Sequence, residues 1–184
     1  MSQSRGASVS ALILPPGPAD AEALAVVHVR AWREAYRGLL PDAYLARMSE
    51  ADYARRFRRS LTHPGSHEVT LVAATRDGLF GYVQAGPSRA RVPGEAEVAT
   101  LYVLRQWHGR GAGRRLLIGA ARALAADGAR SVALSVLRDN IAARGFYEHL
   151  GGEADPPRSE RGPGGVVLQE VTYRWPDIAR LTGT

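Results

Sequence analysis

The stretch QWHGRGAGRRLL, residues 106–117, sets three glycines at alternate positions and then two arginines, just where an apolar helical pattern begins. Glycine is a poor helix former and neighbouring arginines repel one another, so both need a reason to stand at a helix start. The first turn of a helix exposes unpaired N–H groups at the positive end of the helix dipole, and glycine lets a ligand approach the backbone closely. An anion bound at this turn accounts for both features. The stretch therefore predicts a phosphate site among the four nearby arginines, Arg105, Arg110, Arg114 and Arg115.

Two other glycine motifs that bind phosphates do not fit this stretch. A P-loop requires a lysine, but all 24 Lys+Arg residues of the chain are arginine. The dinucleotide fingerprint G-x-G-x-x-G has a different spacing from Gly109-Arg110-Gly111-Ala112-Gly113. That fingerprint also follows the first strand of its fold, whereas this stretch follows the fourth predicted strand.

Outward from this stretch, apolar periodicity predicts six strands and four helices in the order β-α-α-β-β-β-α-β-α-β. The predicted strands are residues 10–14, 69–75, 79–85, 95–104, 131–137 and 166–175. The predicted helices are residues 20–37, 42–61, 113–127 and 140–150. Residues 155–165 are rich in polar residues, proline and glycine, and are predicted to be a loop. The pattern indicates an α/β fold with a mixed sheet.

Length and composition limit the number of domains and the classes of function that the chain can have. The 184 residues, 45% of them hydrophobic, suit one domain, which we place at residues 10–176 between a flexible N-terminus (1–9) and a C-terminal tail (177–184). No apolar run is long enough to cross a membrane. The absence of cysteine excludes disulfides and cysteine nucleophiles and agrees with a cytoplasmic location. The formal charge of +6 admits a polyanionic partner, but no nucleic-acid-binding motif is present, so nucleic acid is not expected.

Two segments resemble motifs of the GCN5-related N-acetyltransferases (GNAT superfamily). The segment HGRGAG, residues 108–113, is similar to the family's acetyl-CoA-binding signature Gln/Arg-x-x-Gly-x-Gly/Ala, with His108 in the Gln/Arg place. A frame starting at Gln106 also satisfies the signature but leaves Gly113 unexplained. Residues 140–151, NIAARGFYEHLG, are similar to the family's element N-x-x-A-x-x-F-Y-x-x-L-G. The resemblance covers roughly residues 10–175.

The resemblance implies a single-domain, three-layer GNAT fold with a mixed, mostly antiparallel sheet of six to seven strands and four helices. It implies acetyl-CoA as cosubstrate. No metal is expected, because His63, His67 and His149 are scattered without the spacing of metal ligands. The LYV segment, residues 101–103, looks like the family's splayed fourth strand, whose backbone pairs with the pantetheine arm. The cofactor-binding residues implied are Leu101, Tyr102, Val103, His108, Gly109, Arg110, Gly111, Ala112, Gly113, Arg114, Asn140 and Ala143.

The family's chemistry assigns two catalytic candidates. Tyr147 matches the tyrosine whose hydroxyl lies near the CoA sulfur, and we expect it to be the general acid or to hydrogen-bond the sulfur. Glu97 lies fourteen residues before Gly111 in the fourth strand, where some members carry a catalytic base; Glu95 and a water-mediated route are alternatives. Because the chain lacks cysteine, direct attack by the acceptor amine is simpler than a covalent intermediate.

The acceptor is the least defined part of this interpretation. Residues 31–45 look like a family variant that forms one wall of the acceptor pocket, and Trp32 and Tyr36, one turn apart, either line that pocket or belong to the core. The expected acceptor is a primary amine of a small molecule or a peptide. The alternative function is a non-catalytic module that binds or senses acyl-CoA. Dimers are common in the family that the chain resembles, so a homodimer is compatible with the resemblance.

Overall fold

The computed structural model describes residues 11–183, and these contain one eight-stranded sheet. The strand order is β1-β2-β3-β4-β5-β8-β6, and β7 also pairs with β8. All neighbouring strands are antiparallel except β4 and β5, which are parallel. The strands are β1 (Leu12–Leu14), β2 (Val69–Thr75), β3 (Gly78–Pro87), β4 (Glu95–Val103), β5 (Ser131–Leu137), β6 (Glu153–Ala154), β7 (Arg158–Arg161) and β8 (Val167–Trp175).

Helices cover both faces of the sheet, so the fold has three layers. The helices are α1 (Ala21–Tyr36), α2 (Asp42–Ala46), α3 (Glu50–Thr62), α4 (Ala112–Ala126), α5 (Ile141–His149) and α6 (Ile178–Thr182). α1 packs on α3 and on the face of β3 to which Tyr82 points. α4 packs on the opposite face, where Gly119 meets Leu71, and α6 packs on α4. Alternation of side chains along the strands supplies both apolar layers.

The fold class predicted from the sequence is confirmed. All six predicted strands are present within the described residues. Ser10, the first residue of the first predicted strand, and the predicted flexible N-terminus (residues 1–9) lie outside them. Three predicted helices correspond to α1, α4 and α5. The sheet exceeds the expected six to seven strands because the predicted loop at residues 155–165 contains β7, and β6 lies just before it.

Two further segments differ from the sequence-based expectation. The helix predicted at residues 42–61 is two helices, because Ser49 is extended and its side chain caps α3 by accepting a hydrogen bond from the Asp52 N–H. Residues 177–184, expected to be a tail, contain α6, whose Ile178 and Leu181 are buried against the domain.

The separation of β4 from β5 creates the main opening in the sheet. The two strands pair only where residues 95–97 meet residues 131–133, and within residues 11–183 no strand pairs with residues 98–103 of β4 on that side. On the other side, the register with β3 shifts so that Ala99 is an extra residue in β4, which is a β-bulge. The parallel strands therefore diverge beyond Glu97, and one edge of β4 is left open.

Candidate active site

A cleft of about 600 Å³ occupies the gap between β4 and β5. Residues 98–103 of β4 form one wall, and residues 134–136 of β5 form the other. The loop before α4 closes one end, and α5 contributes part of the lining. Of the twelve residues predicted to bind the cofactor, eleven line the cleft: Leu101, Tyr102, Val103, His108, Gly109, Gly111, Ala112, Gly113, Arg114, Asn140 and Ala143.

The N-terminus of α4 opens onto this cleft. Gly109 and Gly111 have φ of +71° and +76°, which is left-handed backbone that favours glycine. Gly111 is the N-cap residue of α4, and no side chain of the described residues caps the helix. The first-turn N–H groups therefore have no side-chain cap, which is the backbone arrangement that the predicted phosphate site requires. Gly113 has a different reason for being glycine: a Cβ there would lie 3.3 Å from Cζ of Phe146 on α5.

Only part of the predicted arginine cluster faces the site. Arg114 lines the cleft, and Arg110 stacks over the Trp107 ring at 4.9 Å from its centroid. The Arg105 side chain is turned toward α1, where its guanidinium donates to the backbone carbonyl oxygen of Glu34 at 3.1 Å. Arg115 donates to the backbone carbonyl of Ala11 at 2.9 Å. The prediction that all four arginines surround a phosphate is therefore wrong for Arg105 and Arg115, whose side chains anchor α4 and its loop to other elements.

His108 and Asn140 order the backbone around the cleft. The His108 Nε2 lies 2.7 Å from the backbone carbonyl oxygen of Val103, so the ring ties the glycine loop to the end of β4. The Asn140 Oδ1 accepts a hydrogen bond from the Ala143 N–H at 3.3 Å and caps α5. Both side chains line the cleft, so each can also contact a ligand.

Tyr147 reaches the cleft from α5. Its ring is buried against Phe146, Tyr173 and Trp175, but its hydroxyl is not enclosed and has no hydrogen-bond partner among residues 11–183. Burial, with a smaller contribution from Tyr36, raises the pKa of Tyr147 well above that of free tyrosine. The hydroxyl therefore keeps its proton at neutral pH and acts as a donor.

Of the two aromatic residues predicted for the acceptor pocket, only Tyr36 lines the cleft. Its hydroxyl lies 2.8 Å from the hydroxyl of Tyr102. Trp32 packs between His28, Tyr36 and Tyr44, and its indole N–H is enclosed without a partner in the described part of the chain. Trp32 therefore belongs to the packing behind the cleft wall rather than to the wall itself.

The structure does not support Glu97 as the base. Glu97 is not among the residues that line the cleft, and its carboxylate accepts hydrogen bonds from the Arg89 N–H at 3.0 Å and Nε at 2.8 Å. Burial alone would raise the pKa of Glu97, but the hydrogen bonds and charge of Arg89 outweigh burial and lower it. The alternative, Glu95, is buried in an ion pair with Arg174.

Sequence reasoning missed several groups of the cleft. The resemblance to the family implied a role for Tyr102 through its backbone only, not through its side chain. Thr100, Trp107 and Ser135, which also line the cleft, were not identified from the sequence. Period-two alternation along β4 could have placed Thr100 and Tyr102 on one face. No local pattern could have placed Ser135 there, because its position depends on how far β5 diverges from β4.

Comparison with known proteins agrees with this geometry. The model of the acetyltransferase (GNAT) family matches residues 29–152, more than half of the chain. The chain is 29% identical over 164 residues to the uncharacterized N-acetyltransferase YuaI of Bacillus subtilis (strain 168), covering 88% of this chain and 91% of that protein.

Two solved structures share the fold. The PaiA N-acetyltransferase from Thermoplasma acidophilum, in complex with coenzyme A, has a TM-score of 0.64 and 22% identity, covering 88% of this chain and 98% of that one. YncA of Salmonella typhimurium, a putative acetyltransferase with its cofactor acetyl-CoA, has a TM-score of 0.68 and 18% identity, covering 90% and 93%. The open edge of β4, the uncapped α4 and the family match lead to one conclusion: the chain belongs to the acetyltransferase (GNAT) family.

Proposed function

We propose that this acetyltransferase transfers the acetyl group of acetyl-CoA directly to a primary amine of a small molecule or a peptide. The observation that carries the proposal is the continuity of the cleft, which runs from the uncapped N-terminus of α4 along the open edge of β4 to the hydroxyl of Tyr147. PaiA and YncA, which share the fold, were solved with coenzyme A and acetyl-CoA, and this supports the same ligand here.

The residues of the cleft fit acetyl-CoA by their chemistry. The free N–H groups at the start of α4 and the guanidinium of Arg114 suit a pyrophosphate. The unpaired edge of β4 offers backbone donors and acceptors to an arm that contains amides. When bound, acetyl-CoA supplies an activated thioester, and the protein's own groups then align it and stabilise the charges that develop.

Tyr147 is our candidate for the group that meets the leaving sulfur. Because its hydroxyl stays protonated, it can donate a hydrogen bond or its proton as negative charge develops on sulfur. The acceptor amine must lose a proton, since a free alkylammonium has a pKa of about 10.4. With Glu97 held by Arg89, we propose that this proton leaves to water at the open end of the cleft.

Binding and turnover test the proposal separately. We expect calorimetry to detect coenzyme A binding to the wild-type protein and a clear loss of affinity in Arg114→Ala. Arg115→Ala is the matched control, because its side chain is directed to Ala11, away from the cleft. No binding by the wild type would refute the proposal.

Turnover is measured as release of free CoA across a panel of small amines and peptides. We expect Tyr147→Phe to lower kcat by about 10²-fold while leaving coenzyme A affinity unchanged, as loss of a proton donor does. Wild-type binding without turnover on any amine would instead indicate the non-catalytic acyl-CoA-binding module.

A further inference from the structure

Two tyrosine hydroxyls from different layers of the fold meet at the cleft. Tyr36 is the last residue of α1, Tyr102 lies in the diverging part of β4, and their hydroxyl oxygens are 2.8 Å apart. Both residues line the same cleft as Tyr147. The pair therefore brings phenol groups to the reaction space from α1 and β4, in addition to the one from α5.

The Tyr36–Tyr102 pair has two O–H groups, and only one of them is used in the hydrogen bond between them. Each hydroxyl carries one proton, and their mutual hydrogen bond uses one of the two. Neither hydroxyl has another hydrogen-bond acceptor among residues 11–183. Burial raises the pKa of Tyr36 and of Tyr102, so both remain protonated at neutral pH. One O–H group is thus left for a ligand.

The surroundings hold this donor in place and strengthen it. The Tyr36 ring packs edge-on against Trp32 with ring centroids 4.8 Å apart, and the Tyr102 ring packs against His28 and Tyr82. The walls nearby are largely apolar, with Val98, Leu101, Leu134 and Val136 in the lining. A fixed donor in a site of low polarity stabilises developing negative charge without reorganising, which is the property of an oxyanion hole.

Resting on the proposed function, we infer that the Tyr36–Tyr102 hydroxyl pair donates a hydrogen bond to the carbonyl oxygen of the bound thioester. The amine nitrogen forms a bond to the carbonyl carbon, and the carbonyl oxygen becomes an oxyanion that this hydrogen bond stabilises. The carbon–sulfur bond then breaks, the sulfur takes the Tyr147 proton, the nitrogen loses its proton to water, and Tyr147 recovers a proton from water. The pair itself gives up no proton.

An infrared measurement tests this without knowledge of the acceptor. Acetyl-CoA labelled with ¹³C at the carbonyl is added to the wild type and to the double variant Tyr36→Phe/Tyr102→Phe, and the thioester carbonyl band is compared. We expect the band to move to lower frequency on binding to the wild type, and most of this shift to be lost in the double variant. Identical shifts in the two proteins would overturn the inference. Absence of binding by the wild type would refute the proposed function instead.

Kinetics supply the second readout. We expect the double variant to lose about 10²-fold in kcat, by a similar factor for every acceptor that the wild type accepts, with coenzyme A affinity retained. The single variants should lose less, because the remaining hydroxyl can still donate. Tyr53→Phe, which removes a hydroxyl from the same aromatic cluster outside the cleft, should be unchanged. A loss confined to one acceptor would overturn the inference, because it would assign the pair to the acceptor rather than to the thioester.

Discussion

At the scale of single residues, the partner of a carboxylate decides what it can do. Glu97 lies at the position in β4 where the resemblance to the family predicts a catalytic base. Arg89, however, binds both of its carboxylate oxygens. A carboxylate with a lowered pKa is a weaker base, and this one is also outside the cleft lining. The ion pair instead links the loop after β3 to β4, beside the point where β4 and β5 diverge.

Replacing Glu97 by glutamine separates the two roles. We expect Glu97→Gln to lower kcat by less than about tenfold, whereas loss of a true general base costs roughly 10²–10⁴-fold. The variant should be less stable than the wild type at neutral pH, because Arg89 loses its charged partner. Since the pKa of Glu97 is lowered by folding, its contribution is present above the ordinary pKa of a glutamate and is lost as pH falls through the folded pKa. In thermal unfolding measured from pH 7 to pH 3, the stabilities of the wild type and Glu97→Gln should converge as the pH is lowered. A large loss of kcat with unchanged stability would instead show that Glu97 is the general base.

Single residues also show what the sequence could reveal about the site. Residues 108–113 and Asn140 were predictable because their roles depend on local backbone, namely a glycine turn and a helix cap. The surroundings of Glu97 and Trp32 were not predictable. A pattern along one element cannot show which loop supplies the partner of a carboxylate, or which of two aromatic rings on a helix lines the cleft. The Tyr36–Tyr102 pair joins two residues that are 66 positions apart and has no signature in the sequence.

At the scale of elements, the two ends of α4 offer a matched comparison. Gly111 begins the helix with φ +76°, and Gly128 follows its end with φ +92°. A Cβ at either position would meet no atom of the structurally described residues within 4 Å. Replacing either by alanine should lower the free energy of unfolding by about 1 kcal/mol, because the left-handed conformation is unfavourable for alanine. Only Gly111→Ala should also weaken coenzyme A binding, because only that end faces the cleft. Equal coenzyme A affinities in the two variants, measured by calorimetry beside urea unfolding, would argue against the α4 site.

The elements that the sequence did not reveal share a physical cause. β7 is exposed along all four residues, so it carries no apolar alternation, and β6 has only two residues. The break between α2 and α3 depends on the Ser49 cap and on Arg33 of α1. The Arg33 side chain donates hydrogen bonds to the backbone carbonyls of Leu45 and Met48. Strands without a buried face and a turn fixed by a distant arginine leave little trace in local periodicity.

At the scale of the whole molecule, His28 joins the helical layer to the sheet. Its ring lies on α1 against Tyr53 and Phe57 of α3, and its Nδ1 is hydrogen-bonded to the Tyr82 hydroxyl of β3 at 2.5 Å. The other ring nitrogen is enclosed without a partner in the described part of the chain. Burial, with a smaller contribution from the charge of Arg56, lowers the pKa of His28 to about 4. The folded protein therefore holds this imidazole neutral in a place where the charged form is costly.

This arrangement makes global stability depend on pH in a defined direction. Between pH 6.5, the ordinary pKa of histidine, and pH 4, the unfolded chain binds a proton at His28 that the folded chain does not. The free energy of unfolding therefore decreases as the pH is lowered from 6.5 to 4. The loss attributable to His28 is about 3 kcal/mol, from about 1.4 kcal/mol for each unit of pKa difference. We expect urea unfolding of His28→Gln to lack this part of the slope, so that any advantage of the wild type at pH 7.5 shrinks toward pH 4. His63→Gln, at an exposed position, should follow the wild type throughout. A constant difference between wild type and His28→Gln across the window would show that His28 is not a buried neutral imidazole at the junction of the two layers.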